Sequence, residues 1–369
     1  MSAEQKGAPG GAELSLSESQ QAAISRLATD SNVIPPPIWL ARQAFVGNDA
    51  VERAHAASDP KTFWEEKAKG VDWIEPFTEV FRFDLPKHEW FVGGKLNAAA
   101  NCIDRHVHGD RRNKAALIWV GEDGEEHTYT YSRLYREVNR FANALKRLGV
   151  AKGDRVIVYM PLVPEGIITM LACARIGAIH SVVFAGMGTQ ALRSRIVDCQ
   201  AKVIVCTDFT FRRGKKISLK PTIDEAVRDL VFVEHVVVHR RGSRVGDAPY
   251  EFESEREHDF YDIQEANEIH CPPEPMDSED PLFILYTSGS TGKPKGIKHT
   301  TGGYNLYAKK TFEWVFDYRD EDVFWCTADP GWVTGTSYGI IGPWCLGVTQ
   351  CVFDAGFSAH AWYKFIYDN

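Results

Sequence analysis

The stretch of sequence that decides the fold is PLFILYTSGSTGKPKG, residues 281–296. Its first part, 281–286, is a short apolar run without charge, which predicts a buried strand. The part that follows, 287–296, combines glycines, hydroxyl side chains and two lysines. Glycines let a backbone approach a ligand closely, and hydroxyl, amide and ammonium groups suit the oxygens of a polyanion. The segment therefore predicts a triphosphate-binding loop at the end of a strand.

The residues expected to contact the phosphates are Thr287, Ser288, Gly289, Ser290, Thr291, Gly292, Lys293 and Lys295. Thr287 and Lys293 are also the candidate catalytic residues, because a hydroxyl and an ammonium group can stabilise charge that builds up on phosphate oxygens. The loop is not a Walker A motif, since only two residues separate Gly289 from Gly292 and Pro294 follows the lysine. The alternative is a flexible Gly/Ser linker, but linkers seldom follow so apolar a strand.

The order of residues in 286–296 resembles the signature of the AMP-forming acyl-CoA synthetases, a group within the adenylate-forming enzymes. A distant stretch, WFVGGKLNAAANCIDRHV at 90–107, resembles the N-terminal extension of acetyl-CoA synthetases. The resemblance implies that acetate and ATP give acetyl-adenylate and pyrophosphate, and that the thiol of CoA then displaces AMP. It implies ATP, CoA and Mg²⁺ as substrates and ion, with no prosthetic group. We expect Mg²⁺ to be held by phosphate oxygens and water, so no protein metal site is predicted.

The sequence predicts an α/β fold. From residue 115 onward, runs rich in β-branched residues alternate with amphipathic helices, which indicates a mostly parallel sheet covered on both faces. The resemblance implies the large N-terminal domain of the adenylate-forming (ANL-type) enzymes, truncated before completion. We expect a disordered tail over 1–32, an extension of the acetyl-CoA synthetase type over 33–114 and an incomplete AMP-binding domain over 115–369, with the small C-terminal domain absent. Within the last of these, 240–280 is expected to be a surface excursion and 331–342 a glycine-spaced loop.

A second candidate site is the segment GWVTG, residues 331–335. By resemblance to acetyl-CoA synthetases, Trp332, Val333 and Thr334 would line a small, rigid acyl pocket. Many members continue with a histidine where this chain has Thr336, so no histidine role is expected there. The alternative is that Trp332 packs in an ordinary core.

A third candidate site is FRRGKK, residues 211–216. The family's pattern at this point is closer to Arg-Gly-Gly-Arg, whose basic residues bind the nucleotide phosphates of CoA. Arg212 keeps the first position and Lys215 stands at the last. Lysine lacks the bidentate fork of arginine, and a solvated basic turn is the alternative interpretation.

Composition limits the classes of partner. A net charge of −8 argues against nucleic-acid binding and against an anionic membrane. The longest apolar region, 163–186, is interrupted by Glu165, Arg175 and His180, so no transmembrane helix is expected. The eight cysteines show no zinc-like spacing, and no signal peptide is visible, which favours the cytoplasm. The expected partners are therefore small molecules, and the oligomeric state is left open.

Three functional interpretations follow. The first is a fragment of an acetate–CoA ligase, which we expect to have weak or no activity alone, because nothing in 1–369 resembles the family's adenine-binding and ribose-binding segments, its hinge or its small domain. The second is a ligase for propionate or another short acid. The third is a truncated, non-catalytic binding or regulatory protein.

Overall fold

The computed structural model describes residues 36–241, 252, 254–287 and 293–369. The chain divides into two units between Gly47 and Asn48. In the first unit the described part contains one helix, α1 (Ile38–Gln43), without a buried residue. The tail expected over 1–32 lies outside the described residues.

The second unit holds the strands and the remaining helices. Its strands are β1 (Trp73–Glu75), β2 (Glu79–Asp84), β3 (Lys87–Val92), β4 (Lys95–Leu96), β5 (Ala115–Gly121), β6 (Glu126–Thr130), β7 (Arg155–Tyr159), β8 (Ile179–Val182), β9 (Val203–Thr207), β10 (Phe209–Arg212), β11 (Lys215–Ser218), β12 (His235–His239), β13 (Glu257–Asp259), β14 (Met276–Asp277), β15 (Pro281–Thr287), β16 (Lys295–Thr300), β17 (Val323–Trp325) and β18 (Thr349–Asp354). Its α-helices are α2 (Asp49–Ser58), α3 (Pro60–Ala68), α4 (Arg105–Val107), α5 (Tyr131–Arg147), α6 (Pro164–Ile176), α7 (Thr189–Cys199), α8 (Lys220–Val227), α9 (Phe260–Glu265), α10 (Gly302–Phe316), α11 (Val333–Thr336), α12 (Gly342–Leu346) and α13 (Ala359–Asp368). Two π-helical turns occupy Ala100–Asp104 and Ser337–Ile341.

The largest sheet has seven strands in the order β13-β12-β9-β7-β8-β15-β16. Every pair from β13 to β15 is parallel, and β15 pairs with β16 in the antiparallel sense. The central strands are runs of valine and isoleucine because both faces of the sheet are covered. The predicted α/β class is confirmed, although β16 was not predicted because residues 295–300 contain no apolar run.

A four-stranded sheet lies beside the first in the order β17-β18-β5-β6. Helix α6 is buried along its whole length, and its apolar residues belong to a core that also contains residues of both sheets. Trp344 of α12 is fully buried and donates from Nε1 to the carbonyl of Ala116 at 2.9 Å. One continuous core therefore fixes the two sheets relative to each other.

The residues before β5 form the two-stranded sheet β2-β3 and, together with β14 from later in the chain, the three-stranded sheet β1-β4-β14, in addition to the short helices that the sequence predicted. Aromatic rings join this part together, with Trp73 centred 5.1 Å from Phe77 and 5.4 Å from Phe91. None of the helices in the described part of the chain combines the length and apolar character needed to cross a bilayer.

Two expectations about loops are wrong. The segment 240–280 contains β13, which joins the large sheet, and α9, whose Phe260 stacks on Phe141 at 4.2 Å. The segment 331–342 is largely helical, running through α11 and a π-helical turn into α12. Gly335 within it permits close packing rather than a turn: a Cβ there would lie 2.3 Å from the carbonyl oxygen of Asp329.

We predict that Gly335→Ala destabilises the protein by about 1–3 kcal/mol, because the added methyl must displace backbone. Gly47→Ala is the matched control, since a Cβ there meets nothing within 4 Å. Urea unfolding of both variants measures the difference. Equal stability of the Gly335→Ala variant and the wild type would contradict the close packing of α11 on residue 329.

Candidate functional site

The predicted phosphate loop opens at the carboxyl edge of the large sheet. Thr287 is the last residue of β15, which runs parallel to β8, and the carboxyl ends of parallel strands are the usual ligand-binding edge of an α/β sheet. Lys295 pairs in register with Thr287 across β15 and β16, and both residues are exposed, as is Lys293. The structure thus brings together the two ends of the loop, while Ser288, Gly289, Ser290, Thr291 and Gly292 lie outside the described residues.

A tyrosine that sequence reasoning did not single out anchors the strand before this loop. The hydroxyl of Tyr286 donates to Oδ2 of Asp198 on α7 at 2.7 Å, and the Arg195 guanidinium lies 5.4 Å from its ring. Burial raises the pKa of Tyr286, and the hydrogen bond to Asp198 raises it further, so the phenol keeps its proton. The end of β15 is therefore fixed to α7 immediately before the loop.

The candidate acyl residues lie at the start of α11. Trp332 is 61% exposed, Val333 is 47% exposed and Thr334 is exposed, so the alternative of a buried core tryptophan is wrong. The turn before them is built by Asp329, whose Oδ1 accepts from the amide of Gly331 at 2.7 Å and whose carbonyl accepts from the amide of Trp332 at 2.9 Å. The sequence Asp-Pro-Gly is the signal that could have found this turn.

The candidate CoA residues face each other on a hairpin. Arg212 of β10 pairs in register with Lys215 of β11. Arg213 and Gly214 form the two-residue turn, with φ values of 54° and 72°. This geometry suits the twist of a tight hairpin, and it places the two predicted basic residues side by side. The guanidinium of Arg212 lies 5.4 Å from the ring of Phe184, while Lys215 is exposed.

A cavity of about 150 Å³ lies beside this hairpin. Its walls come from the ends of β7, β8, β10 and β18 and from the turn after β17, and they include Pro161, Phe184, Gly186, Phe211, Arg212, Asp329 and Asp354. The cavity therefore joins the candidate CoA residue Arg212 to the turn that precedes the candidate acyl residues.

Two carboxyl groups in this cavity were not identified from the sequence. Burial raises the pKa of Asp329 to about 6, and the nearby Asp354 adds to the shift. Burial also raises the pKa of Asp354 to about 6, against the opposing effect of Arg241, whose Nη2 lies 3.0 Å from Oδ2 of Asp354. Both carboxyl groups therefore hold a proton more readily than an exposed aspartate does.

Over residues 36–241, 252, 254–287 and 293–369, no group of three His, Cys, Asp or Glu side chains is arranged to hold a metal ion. A magnesium ion accompanying a nucleotide would take its ligands from phosphate oxygens and water, while the ammonium groups of Lys293 and Lys295 could pair with the phosphates but not with the metal.

Comparison with known proteins gives two family matches. Residues 103–368 match the model of the AMP-binding enzyme family, and residues 52–102 match the model of the acetyl-coenzyme A synthetase N-terminus. The acetyl-coenzyme A synthetase of Gemmatimonas aurantiaca is 49% identical over 333 residues, which cover 90% of this chain and 51% of the relative. That of Rubrobacter xylanophilus is 50% identical over 320 residues, covering 86% of this chain and 49% of the relative. The chain spans about half the length of the curated relatives it matches.

A solved structure shows the same fold. The acetoacetyl-CoA synthetase from Streptomyces lividans superimposes with a TM-score of 0.79 at 24% sequence identity, covering 88% of this chain and 52% of that one. At this identity the likeness concerns the fold alone. It confirms the predicted α/β architecture of the adenylate-forming type.

We predict that the Asp329 carboxyl makes stability depend on pH. Because its folded-state pKa of about 6 lies above the ordinary 3.8, the folded protein retains a proton that the unfolded chain loses, and the free energy of unfolding falls as pH rises from about 4 to about 6. Asp329→Asn should match the wild type near pH 4 and exceed its stability at pH 7 by about 2 kcal/mol.

Asp320→Asn is the control with the opposite sign, because a hydrogen bond from Lys114 lowers the pKa of Asp320. That variant should lose stability at pH 7. Urea unfolding of the three proteins across pH 4–7 checks the prediction. A constant stability difference between Asp329→Asn and wild type at every pH would contradict it.

Proposed function

The chain belongs to the AMP-binding enzyme family, and from this premise we propose that it serves an AMP-forming acetate–CoA ligase. In this reaction ATP activates acetate to acetyl-adenylate, and CoA then accepts the acetyl group, with pyrophosphate and AMP as the other products. The observation that carries the proposal is the placement of Thr287 and Lys295 together at the carboxyl edge of the large sheet, at the two ends of a loop with the family's signature. The relatives named as acetyl-coenzyme A synthetases support acetate as the acid.

The loop from Thr287 to Lys295 would bind the triphosphate. Hydroxyl and amide groups donate to phosphate oxygens, and Lys293 offsets the charge that develops on pyrophosphate as it leaves. Magnesium supplies further charge neutralisation when it is bound with the nucleotide. Thr287 and Lys293 are the residues we propose to act on the reacting phosphate.

The start of α11 would receive the acid. Trp332 and Val333 present a rigid apolar surface, and Thr334 adds a hydroxyl beside them. An indole and a β-branched side chain have few rotamers, so they limit the length of the acyl group that fits. Acetate bound there would lie close to the Asp329 turn, which lines the same cavity as Arg212.

The hairpin residues Arg212 and Lys215 would bind the nucleotide phosphates of CoA. A guanidinium and an ammonium on adjacent strands suit a polyanion, and Arg212 is held against Phe184 at the wall of the cavity. We also propose that residues 33–114 form an extension and residues 115–369 a large domain. The proposed location is the cytoplasm, and the proposed substrates are small molecules only. These 369 residues alone are proposed to have low activity.

We predict that Lys293→Ala weakens binding of Mg·ATP about tenfold, or by about 1.4 kcal/mol, because one charge-assisted contact to phosphate is lost. Lys298→Ala is the matched control, since Lys298 is an exposed lysine farther along β16. Isothermal titration of the 369-residue chain measures both affinities. Equal losses in the two variants, or an unchanged affinity in Lys293→Ala, would contradict the assignment.

We also predict a preference for short acyl groups. The ethyl ester of AMP, a stable mimic of acetyl-adenylate, should bind about tenfold more tightly than the butyl ester, because extra methylenes meet a rigid wall. Competition of the two esters against labelled ATP compares their affinities. Tighter binding of the butyl ester would point to a ligase for longer acids.

A further inference from the structure

The hairpin β10–β11 forms a two-stranded sheet of its own. A two-stranded hairpin is marginally stable by itself, so the direction in which Arg212 points depends on what holds the hairpin from outside. The contacts that fix the hairpin to the rest of the protein are therefore part of any phosphate site that uses Arg212.

The base of the hairpin is closed by Asp208. Its Oδ1 accepts from the amide of Phe209 at 2.9 Å and from the amide of Arg241 at 3.0 Å. Its carbonyl accepts from the amide of Leu219, just after β11, at 2.9 Å. Asp208 thus forms hydrogen bonds with both ends of the hairpin and with the segment that follows β12.

The side chain of Arg241 extends this connection to the other sheet. Its guanidinium lies 5.7 Å from the ring of Phe209 and 5.7 Å from the ring of Phe211, alternate residues that share one face of β10. Its Nη2 lies 3.0 Å from Oδ2 of Asp354, the last residue of β18. One planar cation therefore contacts the hairpin and the four-stranded sheet at the same time.

The ion pair between Arg241 and Asp354 is buried. The side chains of Arg241 and Asp354 are each 8% exposed, so separating them would leave an uncompensated buried charge. At the other end of the hairpin, the amide of Gly214 donates to Oε1 of Glu122, in the turn between β5 and β6. The hairpin is consequently attached to the four-stranded sheet at its base and at its tip.

We propose that Arg241 is a positioning residue for the CoA-phosphate site: it holds the β10–β11 hairpin against β18 so that Arg212 faces the cavity. This inference rests on the proposed function, because it takes Arg212 as a ligand of CoA. Arg241 acts through the hairpin and contributes no contact to CoA itself.

The test is the affinity for coenzyme A of the full chain carrying Arg241→Gln, Arg212→Gln or both changes, measured by isothermal titration. Arg241→Gln should weaken binding about tenfold, and Arg241→Lys, which keeps the charge but loses the planar guanidinium, about threefold. Because Arg241 acts through Arg212, the double variant should bind within about twofold of Arg212→Gln alone.

Arg240→Gln is the matched control, since it removes the neighbouring charge, which is paired with Asp259 of β13. Its affinity for coenzyme A should stay within about twofold of wild type. Hydrogen exchange supplies a readout without ligand: Arg241→Gln should speed amide exchange over residues 209–218 and leave α6 unchanged. If Arg241→Gln fails to fold, coenzyme A affinity and hydrogen exchange of the Arg241→Lys variant test the inference instead.

The inference would be overturned if the Arg241 variants bound coenzyme A as tightly as the wild type. It would also be overturned if the loss of affinity in the double variant equalled the product of the two single losses. Either result would leave the CoA site in place. Unchanged exchange over 209–218 would also overturn the inference. Failure of the wild-type chain to bind coenzyme A would overturn the proposed CoA site, and the inference with it.

Discussion

Burial of helix α6 on every side is the constraint on which the rest of the structure depends. Each residue from Pro164 to Ile176 is buried, and the helix ends at Gly177 in the left-handed conformation, with φ 73°. A helix that is buried all round needs partners all round, and here they are the large sheet, α5 and residues of the four-stranded sheet. The distance between the two sheets follows from this packing.

The candidate site forms where that packing ends. The segment between β7 and α6 lines the cavity, and the indole Nε1 of Trp119 on β5 donates to the carbonyl of Leu162 in this segment at 2.6 Å. The large sheet supplies the phosphate loop and the four-stranded sheet supplies Asp329 and Asp354, so the groups proposed to bind ATP, acid and CoA come from different layers. A chain of net charge −8 would then bind its anionic ligands through a few local cations.

Local sequence was sufficient for much of this fold. The apolar run of β15 and the buried strands and helices of 115–239 were predicted because burial on both faces leaves a continuous apolar signal. The strand β16 and the helix α11 were missed for the opposite reason: β16 is exposed at the sheet edge, and the glycines around α11 serve close tertiary contacts that have no local signature. Asp354 was missed because its partner Arg241 is distant in sequence. The residues that the resemblance assigned to the ligands stay predictions.

The measurement that tests the central claim most directly is a crystal structure of the chain with the ethyl ester of AMP. The account predicts the phosphate of the ester beside Thr287 and Lys293, with its ethyl group against Trp332 and Val333. Binding of the ester away from the end of β15, or with its ethyl group turned away from α11, would contradict an acetate-activating site at this edge of the sheet.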